Sequence, residues 1–167
     1  MQITCFRRKI LDKEYIKIVK PLLMNDKVLS MKKYIQHGNT TTLEHCLNVS
    51  YTCYRFAKIL KLDYKAAARA ALLHDLYLYD WHEDIPEEID KLGKHAFYHP
   101  KVALKNALQV DKLNFCERDM IMRHMWPVTV VLPKFKETWL IVFIDKYCAM
   151  YEFFLEKRIK LKKKHTR

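Results

Sequence analysis

Six side chains stand where a helical chain should be apolar: His45, the pair His74-Asp75, His99, His124 and Asp145. His45 falls on the apolar side of the run 43–60, one turn from Val49, while Glu44, Asn48, Arg55 and Lys58 share a narrow polar stripe on the same run. His74-Asp75 closes the alanine- and leucine-rich run that begins at Ala66, and Asp145 follows Ile144 on an otherwise apolar face. A buried carboxylate without a partner costs several kcal/mol, so a chain that buries two must supply a cation or a hydrogen-bond network. No Lys or Arg shares the stripe near Asp75, which makes a metal ion the economical partner. Imidazoles and carboxylates converging from several helices are how all-α proteins usually build metal sites. Such a mixed nitrogen and oxygen set suits Mn, Fe, Co, Ni or Zn better than Ca or Mg. His37, His82, His95 and His165 carry, on position alone, the ordinary reading of hydrogen-bonded core or surface residues.

The elements that must hold these groups are helical. Half of the 167 residues are apolar, with only two glycines and five prolines, a poor recipe for hairpins and a good one for helices. An N-terminal segment places Tyr15, Ile16, Val19, Leu22 and Leu23 at helical spacing, with Pro21 starting a new turn or kinking it. A shorter amphipathic piece spans 28–35, and Gly38-Asn39 marks a turn. Thr41 or Thr42 caps the helix from Leu43 to Leu60, with Glu44 in its first turn. Asp63 caps the alanine-rich helix, and an acidic connection with Pro and Gly covers 83–94. Pro100 suits a first helical position, which predicts His99 at or beside an N-cap. A helix ending near His124 and a last long helix after Pro133 complete an all-α, single-domain chain of sufficient size for one core.

Net charge is +12, yet residues 157–167 hold seven Lys or Arg and no acid, so the chain without them carries about +5. A basic surface attracts polyanions, phosphorylated small molecules or acidic membrane. Five scattered cysteines, none spaced CxxC, fit free thiols of a reducing compartment rather than a disulfide framework or zinc knuckle. No run of 18 apolar residues and no signal-peptide pattern occurs, so a cytoplasmic protein without a membrane span is expected.

The order His45 … His74-Asp75 … Asp145 resembles the HD-domain superfamily of metal-dependent phosphohydrolases, named for its His-Asp pair, over roughly residues 37–155. His99 and His124, lying between the pair and the last Asp at separations of 25 and 25 residues, resemble its six-ligand, two-metal branch. The phrases Leu72-Leu73-His74-Asp75, His99-Pro100 and Asp145-Lys146 fit the same pattern. The resemblance implies an HD-type helical bundle with a helical segment over 1–36, the core over 37–156 and a basic tail over 157–167. It implies one or two divalent transition metal ions (Fe, Mn, Co, Ni or Zn): His45, His74, Asp75 and Asp145 on the first, His99 and His124 on the second, Asp75 bridging. The activity implied is hydrolysis of a phosphate ester or nucleotide phosphoanhydride by a metal-activated hydroxide, with Asp75, His124 and Lys146 as catalytic side chains. Many two-metal members follow the pair with Ile-Gly and a Lys; here Leu76-Tyr77-Leu78 follows, leaving His37 and Lys146 as stand-ins on substrate phosphate. No Gly-Tyr-Pro signature follows His124, which disfavours a cyclic di-GMP phosphodiesterase.

The partner expected is a small phosphorylated substrate, foremost a nucleotide. The rival is a non-catalytic HD-like module that binds metal or nucleotide, its basic tail contacting nucleic acid. A metal-free scaffold would need Lys or Arg beside Asp75 and Asp145, and some di-iron oxygenases share the four-ligand plan.

Overall fold

The alanine-rich run becomes the centre of the bundle. A computed structural model describes residues 12–81, 85–90 and 94–165, and of residues 37, 89, 90, 155, 156 and 158–165 it describes the backbone alone. The expected phosphate contact of the His37 side chain and the ordinary readings of His82 and of the His165 side chain therefore lie outside what is described.

Chain order runs α1 (Lys13–Leu23), α2 (Asp26–Ser30), a 3-10 turn (Met31–Lys33), β1 (Ile35–His37), β2 (Thr40–Thr41), α3 (Thr42–Ile59), α4 (Tyr64–Leu73), α5 (Glu87–Asp90), α6 (His95–Val110), α7 (Phe115–Arg123) and α8 (Lys136–His165). In α4, seven of ten residues are buried, so this helix has core on nearly every side. Its alanines let α3 approach closely, and α7, α1, α6 and α8 surround the pair. Arg69, the polar exception, leaves the core sideways: Nε meets Glu117 at 2.6 Å and Nη1 meets Asp111 at 3.1 Å.

Local chemistry fixes the ends. Thr41 and Glu44 form a reciprocal capping box at the start of α3, and Asn114 and Glu117 form another at α7. Asp63 caps α4 through the amides of Lys65 and Ala66. Asp119 on α7 accepts from Thr138 Oγ1 at 2.7 Å and from the Lys134 amide at 2.9 Å, which fixes where α8 begins.

Two boundaries differ from the sequence reading. The amphipathic piece at 28–35 is broken after Ser30, and its end joins a two-stranded antiparallel hairpin with Ile35 opposite Thr41. Gly38 turns this hairpin at φ 59°, a left-handed conformation that glycine adopts without a Cβ clash. Pro100 does not start α6; the helix begins at His95, with Pro100 inside it. Proline forfeits one backbone bond there, but the preceding turn is held by ring stacking, His95 on His99 at 4.6 Å and Trp81 on His95 at 5.0 Å. Pro21 likewise sits inside α1, which ends at Leu23. Among the described residues, no helix is long and apolar enough to cross a membrane.

Candidate metal centre

Five helical segments deliver the six singled-out side chains to one buried place. His45 comes from the first turns of α3, His74 and Asp75 from the C-terminal end of α4, His99 from α6, His124 from the end of α7, and Asp145 from α8. All four histidines and Asp75 are buried, and Asp145 keeps only a small exposed edge. Asp145 Oδ1 lies 3.0 Å from His45 Nε2 and 3.5 Å from His74 Nε2. Asp75 Oδ1 lies 3.3 Å from His99 Nε2 and 3.5 Å from His124 Nε2, and Asp75 Oδ2 lies 3.4 Å from His74 Nε2.

Tautomers follow from what the outer ring nitrogens touch. The Nδ1 atoms of His74, His99 and His124 lie 2.8, 3.0 and 2.8 Å from the backbone carbonyls of Ala71, His95 and Ile121. A carbonyl only accepts, so each Nδ1 carries the proton and each neutral ring turns a bare Nε2 lone pair inward. His45 repeats the arrangement with Nδ1 donating to Glu152 Oε2 at 2.9 Å. Four lone pairs therefore face two carboxylates, and His99 and His124 bring their Nε2 atoms within 2.9 Å of each other. Neutral groups arranged so only repel. Among the described residues, His74 Nε2 and Asp75 Oδ1 are also buried without any hydrogen-bond partner, an omission that costs roughly 1–3 kcal/mol per group.

Electrostatics says the same. Burial disfavours charge on His45, yet hydrogen bonds to Asp145 and Glu152 overcome it and raise its pKa to about 10. Burial also opposes charge on His74, but Asp75 beside it drives its pKa well above the usual imidazole value. Asp75 and Asp145 sit well below the carboxylate range: burial works against this and is outweighed by His74 and His99 for the first, and by His45 and His74 for the second. His124 goes the other way, to about 3, because burial and the charge of His74 both disfavour its protonation. Without metal, the cluster takes up protons where it wants positive charge.

A divalent cation removes each conflict at once, so the donor set fits one. Ligand atoms of His45, His74 and Asp145 lie within 4.8 Å of one another, as do those of His74, Asp75 and His124, giving two overlapping positions. The two share His74, and Asp75 reaches His99 and His124 through its other oxygen.

Around this centre stands a second layer that sequence reasoning missed. Gln36 donates to Asp75 Oδ2 at 2.6 Å, while its own carbonyl oxygen accepts from Tyr77 and, at 3.3 Å, from Thr42 Oγ1. Nothing in the sequence marks Gln36, because its position depends on the hairpin. Glu152 had a signal: it lies two helical turns after Asp145, on the same inward face. Lys146 borders the site. Its ammonium donates to the carbonyls of His124 at 3.2 Å and Val142 at 3.3 Å, and burial lowers its pKa.

Residues 42–150 match the family model of the HD domain. No curated protein and no solved structure matches the chain.

Proposed function

The chain belongs to the HD-domain family, and on that premise we propose that it is a metal-dependent phosphohydrolase acting on a small phosphate ester or nucleotide phosphoanhydride. One observation carries the reading: every imidazole of the cluster has its outer nitrogen tied to an oxygen and its inner lone pair aimed at Asp75 and Asp145. That is the arrangement in which second-layer acceptors fix tautomer and ring orientation for a metal.

His45, His74 and Asp145, with Asp75 beside them, would hold one ion; His99 and His124, with Asp75 between, would hold the second. Divalent cations placed there supply positive charge to phosphoryl oxygens and acidify water towards neutral pH. The chain's own part is positioning. Ala71, His95, Ile121 and Glu152 keep the rings in place, and Gln36 fixes one Asp75 oxygen so that the other stays directed at the imidazoles. Burial strips water from the cluster and strengthens every charge interaction within it. His124, its Nδ1 proton held by the Ile121 carbonyl and its Nε2 lone pair turned towards Asp75, would serve as a ligand rather than the leaving-group acid. Lys146 remains the cation next to the cluster, and reaching a phosphate requires its ammonium to exchange a carbonyl for the substrate oxygen.

Elemental analysis of protein purified without chelator, paired with phosphate release from phosphomonoesters, nucleotides and dinucleoside polyphosphates in added Mn, Fe or Co, tests this. Bound metal that is lost together with activity in His74→Ala and Asp75→Ala supports it. A metal-loaded protein inert across the panel would leave the binding-module reading, and a protein that takes up no metal ends the phosphohydrolase reading.

A further inference from the structure

Helix α8 does more than deliver Asp145. It is 30 residues long, a rod of about 45 Å. Its inward face, built from Ile141, Ile144, Cys148 and Glu152, is buried against the bundle. On the opposite face Phe143, Tyr147, Met150 and Phe154 are exposed at 62, 57, 55 and 59%. Single exposed apolar residues are ordinary, but four large ones in one line are not.

Their spacing is four, three, four, the register in which residues of a coiled-coil seam recur. At 100° per residue the four fall within a sector of about 60°, narrower than the face by which an interfacial helix lies in a lipid surface. Phe153 stands to one side of the line, with the Lys157 ammonium 4.5 Å above its ring.

We infer that this seam is a self-association surface: two copies of the chain pair through α8 in antiparallel fashion. The four-three-four spacing reads the same in both directions. Two seams related by a two-fold axis between residues 148 and 149 therefore place Phe143 opposite Phe154 of the second copy, and Tyr147 opposite Met150.

Charge selects the antiparallel sense. Residues 157–167 carry seven Lys or Arg and no acid. Parallel pairing lays the two cationic ends side by side. Antiparallel pairing carries them to opposite ends of the dimer, roughly 35–40 Å apart along the axis, several Debye lengths at physiological salt.

Area is consistent with a weak to moderate dimer. Each of the four side chains leaves about 100 Å² uncovered, which gives about 800 Å² for the pair, since such side chains bury 150–250 Å² in full. Trp139, Tyr151 and the stems of flanking lysines bring the total towards the roughly 1,200 Å² at which specific interfaces begin.

Sedimentation equilibrium of the full chain, at about 0.1 M and about 0.5 M salt, tests the proposal. The expected particle has twice the 20.2 kDa chain mass. Because each copy is strongly cationic, the dimer tightens at the higher salt. Phe143→Glu and Phe154→Glu each weaken association at least tenfold while far-UV circular dichroism and metal content stay unchanged. The double variant Phe143→Lys with Phe154→Glu associates more tightly than Phe143→Glu with Phe154→Glu, because antiparallel pairing puts Lys against Glu in the first and Glu against Glu in the second, whereas parallel pairing puts like against like in both. A monomer at about 100 µM overturns the inference, as does a dimer indifferent to both single variants or a Lys/Glu double variant no tighter than the Glu/Glu one. A monomer whose binding to acidic vesicles or single-stranded DNA depends on Phe143 and weakens with salt also overturns it, and reassigns the face to that partner.

Discussion

Glu152 gives the sharpest test of how the centre is held. Its two oxygens are both used as acceptors: Oε2 takes the His45 Nδ1 proton at 2.9 Å and Oε1 takes an Asn48 Nδ2 proton at 2.8 Å. Glu152→Gln keeps the shape but leaves a single acceptor for two donors. Either the Asn48 bond is lost, or the His45 proton moves to Nε2 and blocks the lone pair aimed at Asp145. Second-layer losses of this kind lower metal affinity about 10–100-fold, equal to about 1.4–2.8 kcal/mol. Titration of apoprotein with Co²⁺ against a competing chelator reads that change directly. Pairing Glu152→Gln with Asn48→Asp reverses the second hydrogen bond, so that the new amide at position 152 donates to the new carboxylate at position 48 while its oxygen serves His45. Affinity in the double variant should recover to within a few-fold of the original. Equal affinities for the original chain and Glu152→Gln would show that Glu152 does not set the His45 tautomer.

Three further outcomes follow from the same geometry. Saturating metal at about a thousand times its dissociation constant stabilises the fold by about 4 kcal/mol, a rise in Tm of roughly 8–16 °C for a domain of this size; a melting temperature unchanged by metal or chelator would show that no native-state site forms. Metal affinity should rise with pH, because in the metal-free chain His45 holds its proton up to about 10 and the His74 pKa is raised as well; each proton displaced contributes about tenfold per pH unit below those values, and calorimetry in buffers of different ionisation heat counts the protons. Arg69→Ala leaves the buried Glu117 carboxylate without its cation, and loss of one partner of a buried pair destabilises by about 3–5 kcal/mol; a urea midpoint within error of the original would place Glu117 in a different network.

The helices were legible because their signals are local. Periodicity located the inward side of His45, alanine content marked α4, and Asp63 and Thr41 announced their caps through side chains that bond two or three residues away. Pro100 misled for the same reason: a local rule placed it at a helix start, whereas stacking of Trp81, His95 and His99 holds a helical turn ahead of it. The hairpin at 35–41 was hidden because two short strands have too few residues to show a period, and Gln36 was hidden with it.

By itself the sequence determined that two carboxylates and four imidazoles would enter an apolar interior, since helix register is a property of neighbours a few positions apart. Only the tertiary structure decided which atoms meet. Gln36 reaches Asp75 across 39 residues and Glu152 reaches His45 across 107. Contacts of that separation depend on how α3, α4 and α8 pack, which no local pattern encodes. That packing put a carbonyl behind three rings and Glu152 behind the fourth, turning a set of buried polar residues into inward-facing lone pairs.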